Sequence, residues 1–140
     1  MSSNKPLILI TEDDPDDIVL LRNAIGRLRP DVVIEVARDG LELIDRLSDR
    51  NQAWPDLVLL DLNMPRMDGR ELLVHVRTQM KLPPIDIVVY STSSESEEKL
   101  AVKELGAAET LTKPSSFSEM LVQFDELLRR YLQPAASFEP

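Results

Sequence analysis

The sequence predicts an α/β fold, a doubly wound five-stranded parallel sheet with five helices, and three observations point to it. Short apolar runs alternate five times with longer stretches of helical spacing, the pattern of repeated βαβ units. Hydrophobic residues make up 43% of the 140 but aromatics only 4%, so the core must be aliphatic, as in open α/β sheets. A chain of this length can bury most of the surface its unfolded form exposes, and the absence of cysteine excludes disulfide staples and thiolate metal sites.

The first strand is expected over Leu7–Thr11. It runs into Glu12-Asp13-Asp14, where Asp14 is placed to cap a helix beginning at Pro15, a residue that loses nothing there by lacking an N–H. Ile18, Leu21, Ile25 and Leu28 give that helix its apolar face, and Pro30 stops it. Val32–Ala37 is the second strand, and Asp39-Gly40 opens a helix carrying Leu41, Ile44 and Leu47. Trp54 is expected to plug a loop before the third strand, Leu57–Leu60; Leu72, Leu73, Val76 and Met80 then form a stripe that ends before Pro83-Pro84. Asp86–Tyr90 is the fourth strand. The helix after it, residues 94–105, is charged and thinly apolar and should lie exposed, with Ser93 or Ser94 as its cap. Glu109–Thr112 is the last strand, and Phe117, Met120, Leu121, Phe124, Leu127, Leu128 and Tyr131 keep helical spacing over the last helix. Residues 5–132 are thus expected to form one domain, with 1–4 and 133–140 as frayed termini.

The formal charge of −9, from 25 acids against 16 bases, repels phosphate backbones and anionic lipids, so neither nucleic acid nor membrane is expected as a direct partner. Leu7 to Ile10 is too short an apolar run for a leader or a membrane span, which predicts a cytoplasmic protein.

In a doubly wound sheet with right-handed crossovers, ligands bind beyond the carboxyl ends of the strands. Those ends deliver Glu12 and Asp13 from the first strand, Asp61 from the third, Ser91-Thr92 from the fourth and Lys113-Pro114 from the fifth. Gathered carboxylates repel one another unless a cation joins them. Mg²⁺, or Mn²⁺ in its place, suits such a site because it takes oxygen ligands and is held by one or two carboxylates together with substrate phosphate. A carboxylate can attack a phosphoryl donor to give a mixed anhydride, a transfer that depends on in-line positioning and on neutralising the equatorial oxygens. Asp61 is the best-placed nucleophile; the metal, Lys113, and the Ser91 hydroxyl with a backbone N–H would each cover one phosphoryl oxygen. Taken alone, an acidic turn is more often a capping cluster, and Asp14, Asp16 and Asp17 are assigned to that role. His75 is expected to face solvent or cover an edge.

Glu12-Asp13, the stretch from Asp61 through Asn63, Met64-Pro65 and Asp68-Gly69, Ser91, and Lys113-Pro114 together resemble the receiver domain of bacterial two-component response regulators. The resemblance spans nearly the whole chain and is nearest to the single-domain receivers paired with phytochrome-type histidine kinases. It implies a flavodoxin-like sheet in the order 2-1-3-4-5 with no output domain. It also implies that Glu12, Asp13, Asp61 and the Asn63 backbone carbonyl hold the metal, and that a sensor histidine kinase phosphorylates Asp61. Ser91 is then the switch hydroxyl, Lys113 the cation, and Pro114 follows a cis peptide bond. Such a protein is a phosphoacceptor rather than a conventional enzyme; its partners are the kinase and a phosphotransfer or target protein, and a homodimer stays open. Receivers often carry an aromatic three residues before the lysine, where this chain has Thr110. Its readout therefore has to be weaker or to use Tyr90, and a phosphorylation-independent pseudo-receiver stays open as the alternative. An aspartyl-nucleophile hydrolase of the haloacid dehalogenase type would place a second acid two residues after the nucleophile, where Asn63 stands.

Overall fold

Five parallel strands, β1 (Leu7–Thr11), β2 (Val33–Ala37), β3 (Leu57–Asp61), β4 (Ile87–Ser91) and β5 (Glu109–Thr112), lie side by side in the order β2-β1-β3-β4-β5. The structure, a computed structural model, describes residues 5–64, 68–92 and 95–134. Between the strands run α1 (Pro15–Leu28), α2 (Gly40–Ser48), α3 (Gly69–Thr78) and α4 (Ser96–Glu104), and α5 (Phe117–Tyr131) follows the last. The fold class and strand order expected from the sequence are therefore the ones found.

Alternation along the strands sorts the core into two layers. Ile8, Ile10, Leu57, Leu59, Val88, Tyr90 and Leu111 pack with α1 and α5 through Leu21, Ile25, Phe124 and Leu128. Leu9, Val58, Leu60, Ile87 and Val89 pack on the other face with Leu43 and Leu47 of α2, Leu73 and Val76 of α3, and Val102 of α4. β1, β3 and β4 are buried along their whole lengths, as a sheet covered on both faces requires.

The helix starts follow the expected chemistry. Asp14 accepts from the Asp16 N–H ahead of Pro15, Asp39 caps α2 through the Glu42 N–H, and Asp68 caps α3 through the N–H groups of Arg70 and Glu71. α4 is as thinly apolar as its sequence suggests, with Val102 buried and Leu100 60% exposed. Its cap position falls on Glu95, which makes no side-chain capping bond, whereas Ser93 and Ser94 lie outside the described residues. α3 stops at Thr78, short of Met80.

Two strand ends differ from expectation in a way that bears on function. β3 includes Asp61 and β4 includes Ser91, because the parallel ladder continues through the Asp61–Tyr90 and Ser91–Thr112 registers. The peptide bond before Pro114 is trans, as is every described peptide bond, which corrects the cis bond expected there. The trans form is favoured by about 0.5–1 kcal/mol for a bond to proline. In this form the Lys113 N–H already donates to the Ser91 carbonyl at 2.7 Å and the side chain reaches Asp61. Among the described residues no helix is long and apolar enough to cross a membrane.

Candidate functional site, an acidic pocket with one cation

β1 and β3 are neighbours in the sheet, so the chain leaving β1 and the last residue of β3 meet at one edge. Carboxylate oxygens of Glu12, Asp13 and Asp61 lie within 4.8 Å of one another. Glu12 is 1% exposed and Asp61 4%, so both carboxyls are withdrawn from bulk water. Glu12 Oε2 accepts from the Asp14 N–H at 3.1 Å, while Oε1 is buried without a partner.

An orphaned carboxylate oxygen facing two further carboxylates is costly unless the group binds a proton or a cation. In the metal-free fold the proton is the recourse: burial pushes the Glu12 carboxyl up to about 8. A hydrogen bond from its protonated form to Asp61 and the Asp61 charge add to the rise; the Asp14 N–H and Lys113 oppose it. A divalent cation would take the place of that proton. Three carboxylates this close, with one Glu12 oxygen lacking a partner, fit a hard ion such as Mg²⁺ or Mn²⁺.

Lys113 supplies the opposite charge. Its ammonium lies 3.1 Å from Asp61 Oδ1, which also accepts from the Asn63 N–H at 2.8 Å. Two donors thus hold Oδ1. Asn63 Oδ1 accepts from the Thr92 N–H at 2.8 Å and so ties the turn after β3 to the turn after β4. The Ser91 side chain belongs to the same edge by its pairing with Thr112, one residue before Lys113, and is buried.

The structure brings Glu12, Asp13, Asp61, Asn63, Ser91 and Lys113 to one sheet edge. Thr110 stands on the other side of the sheet from Tyr90, beside α4, in a cleft shared with Ser96, Lys99, Leu100 and Lys103, and its Oγ1 is buried without a partner. His75 is half-buried on α3 and borders a cleft between α2 and α3 that none of Glu12, Asp13 and Asp61 lines. Trp54 is half-buried against the α2–α3 side of the core, as expected of a loop plug.

One participant differs from its assigned role. Asp17, expected as a cap, instead places its carboxylate 3.7 Å from the Lys113 ammonium. The signal that could have found it is spacing: Asp17 stands one helical turn beyond Asp13, on the part of α1 nearest the pocket.

A parallel α/β sheet with clustered acids and a lysine at its carboxyl edge is the arrangement of phosphate-handling domains. The pattern of the response regulator receiver domain matches residues 8–125, and the chain belongs to that family. It is 33% identical over 123 residues to the response regulator Rcp1 of Synechocystis, covering 84% of each chain. It is 41% identical over 120 residues to a protein-glutamate methylesterase/protein-glutamine glutaminase of Geobacter sulfurreducens, of which it spans 31%. Among solved structures it is similar to RPA3017, a response regulator in red light signalling of R. palustris, with a TM-score of 0.83 at 26% identity over 94% of this chain and 96% of that one. The phosphorylated cyanobacterial phytochrome response regulator RcpA gives a TM-score of 0.81 at 30% identity, with the same coverage. The Mn²⁺-bound form of Rcp1 gives 0.79 at 29%, covering 94% of this chain and 97% of that one. Receiver domains of this family interact with histidine kinases and bind a divalent metal at the acidic pocket.

Proposed function

We propose that Asp61 accepts a phosphoryl group from a histidine kinase of the phytochrome type and that the domain passes the signal on by docking in its phosphorylated form. The observation that carries this is the convergence of three carboxylates and one ammonium on a single sheet edge. The likeness to Rcp1, RcpA and RPA3017 supports the kinase type. The absence of a membrane-spanning helix among the described residues is compatible with cytoplasmic action.

Asp61 Oδ1 is engaged by Asn63 and Lys113, which leaves Oδ2 to attack phosphorus. The new O–P bond forms as the N–P bond of a phosphohistidine breaks, the electron pair stays on the imidazole, and the product is an acyl phosphate on Asp61. Glu12, Asp13, Asp61 and the Asn63 carbonyl would hold Mg²⁺, which when bound neutralises phosphoryl oxygen charge. Lys113 then covers a second oxygen, and the Ser91 hydroxyl with a backbone N–H a third. The rate depends on this placement more than on covalent chemistry by the protein, which fits a phosphoacceptor better than a conventional enzyme.

The test is Mg²⁺-dependent labelling by acetyl phosphate. Wild type should label and Asp61→Asn should not; equal labelling of the two would refute the assignment. Thr110 favours a second reading, a pseudo-receiver that docks without phosphorylation, and that reading predicts no labelling of either protein. Phosphorylation should alter the face formed by α4, β5 and α5, seen as changed hydrogen exchange over residues 91–113 with beryllofluoride bound.

A further inference from the structure

The Lys113 ammonium sits in a seat with three walls. Asp61 Oδ1 is 3.1 Å away, Asp17 Oδ2 is 3.7 Å away, and the Tyr90 ring centroid is 5.5 Å away. The walls come from three elements, β3, α1 and β4, and the Lys113 side chain is only 17% exposed. A lysine side chain is a compact charge on a flexible four-carbon stem, so one acceptor alone does not fix where the charge lies. Two carboxylates and a ring face do. Burial raises the Asp17 carboxyl above its ordinary value, the Asp14 and Asp61 charges add to the rise, and Lys113 opposes it.

The phosphoryl reading places two demands on this single ammonium. In the resting state it is shared between Asp61 and Asp17, and in the phosphorylated state it must cover a phosphoryl oxygen. Asp17 then competes with the phosphoryl group for it. We propose that Asp17 is a positioning residue that acts through Lys113: it holds part of the ammonium toward α1, sets how firmly the site grips a phosphoryl group, and is released when that group draws the lysine away.

The release has a path. Asp17 lies in the first turn of α1, and α1 packs along α5. Tyr90, under the same ammonium, meets Phe124 of α5 edge to face with ring centroids 5.8 Å apart. A shift of the lysine is therefore felt on the α1–α5 side of the sheet, the side opposite Thr110. Coupling of this kind is reciprocal: if a bound phosphoryl group loosens Asp17, then removing the Asp17 charge must strengthen phosphoryl binding.

This inference rests on the reading of Asp61 as phosphoacceptor, and the experiment separates the two. The affinity of Mg²⁺-loaded protein for beryllofluoride is measured by calorimetry for wild type, Asp61→Asn, Asp17→Asn and Asp16→Asn. Asp16 is in the same first turn and carries the same charge, but it has no ion pair with Lys113. Asp17→Asn should bind roughly fivefold tighter or more, the lower end of typical coupling. Asp16→Asn should change affinity by less than about twofold, since its exposed charge is screened by water and salt. In a Lys113→Gln background the gain from Asp17→Asn should vanish, which a structural role in helix capping would not produce. A wild-type protein that takes no beryllofluoride refutes the phosphoacceptor reading and this inference with it. A wild type that binds, with Asp17→Asn no tighter than Asp16→Asn or equally tightened without Lys113, overturns the role of Asp17 alone.

Discussion

Replacing Glu12 with glutamine should make the metal-free protein more stable at alkaline pH while depriving it of its metal. In the metal-free fold, burial first and Asp61 second raise the Glu12 carboxyl from 4.5 to about 8. Between those values the folded chain binds a proton that the unfolded chain has released, so stability falls as pH rises. The contribution is fully present below the unfolded value and is lost as pH climbs through the folded one. At about 1.4 kcal/mol per unit, the whole rise corresponds to about 5 kcal/mol. Glu12 shares its pocket with the Asp61 charge, so roughly 3–5 kcal/mol belongs to the pocket rather than to one residue.

Urea unfolding in a chelator reads this directly. With a slope of about 1–3 kcal/mol/M, the wild-type midpoint should drop by more than about 1 M between about pH 5 and about pH 8.5. Excess Mg²⁺ should flatten the profile, because a cation among the carboxylates replaces the proton and binds only the folded state. Glu12→Gln should be much flatter without metal, keeping only the smaller slope of the same sign from the raised Asp17 carboxyl, and it should be more stable than wild type at the alkaline end and unresponsive to Mg²⁺. The lowered Asp31 carboxyl titrates below its ordinary 3.8, outside this window. A metal-free wild-type midpoint that stays level or rises across the range would refute the reasoning.

Phe124→Ala should cost about 3–5 kcal/mol, because Phe124 is fully buried and supports Tyr90 edge-on; urea unfolding showing a loss under about 1 kcal/mol would contradict the packing described. Asn63→Ala should remove the acceptor of the Thr92 N–H, lowering stability by about 1 kcal/mol and speeding exchange of the Thr92 amide, while Mg²⁺ affinity should be kept, since the proposed site uses only the main-chain carbonyl at this position.

The sheet was legible because β1, β3 and β4 are covered on both faces and read as unbroken apolar runs. The capping chemistry of Asp14-Pro15 and Asp39-Gly40 was equally plain. Strand ends were less so: an acid or a serine after a run of Leu or Val looks like the start of a loop, but the ladder to a neighbour keeps Asp61 and Ser91 in the strand. Ser93 and Ser94 have the right side chains for a cap, while the position of the first helical turn puts Glu95 there. Asp17 was hidden for a different reason. Its neighbours Asp14 and Asp16 satisfy a local rule, and nothing local shows that a lysine almost a hundred residues later folds back onto this one acid of the three. The burial of Glu12 and the missing partner of its Oε1 likewise arise only from how β1 sits beside β3.

The turn after Asp61 is closed by a contact of another sort. A methyl group added at Gly69 would lie 2.5 Å from Leu62 Cδ2 and 3.3 Å from Leu62 Cα, so the first turn of α3 rests on the residue that follows Asp61. For anyone building chimeras, Leu62 and Gly69 are then a pair to be exchanged together. A donor sequence that brings a larger residue to position 69 must bring its own partner for position 62.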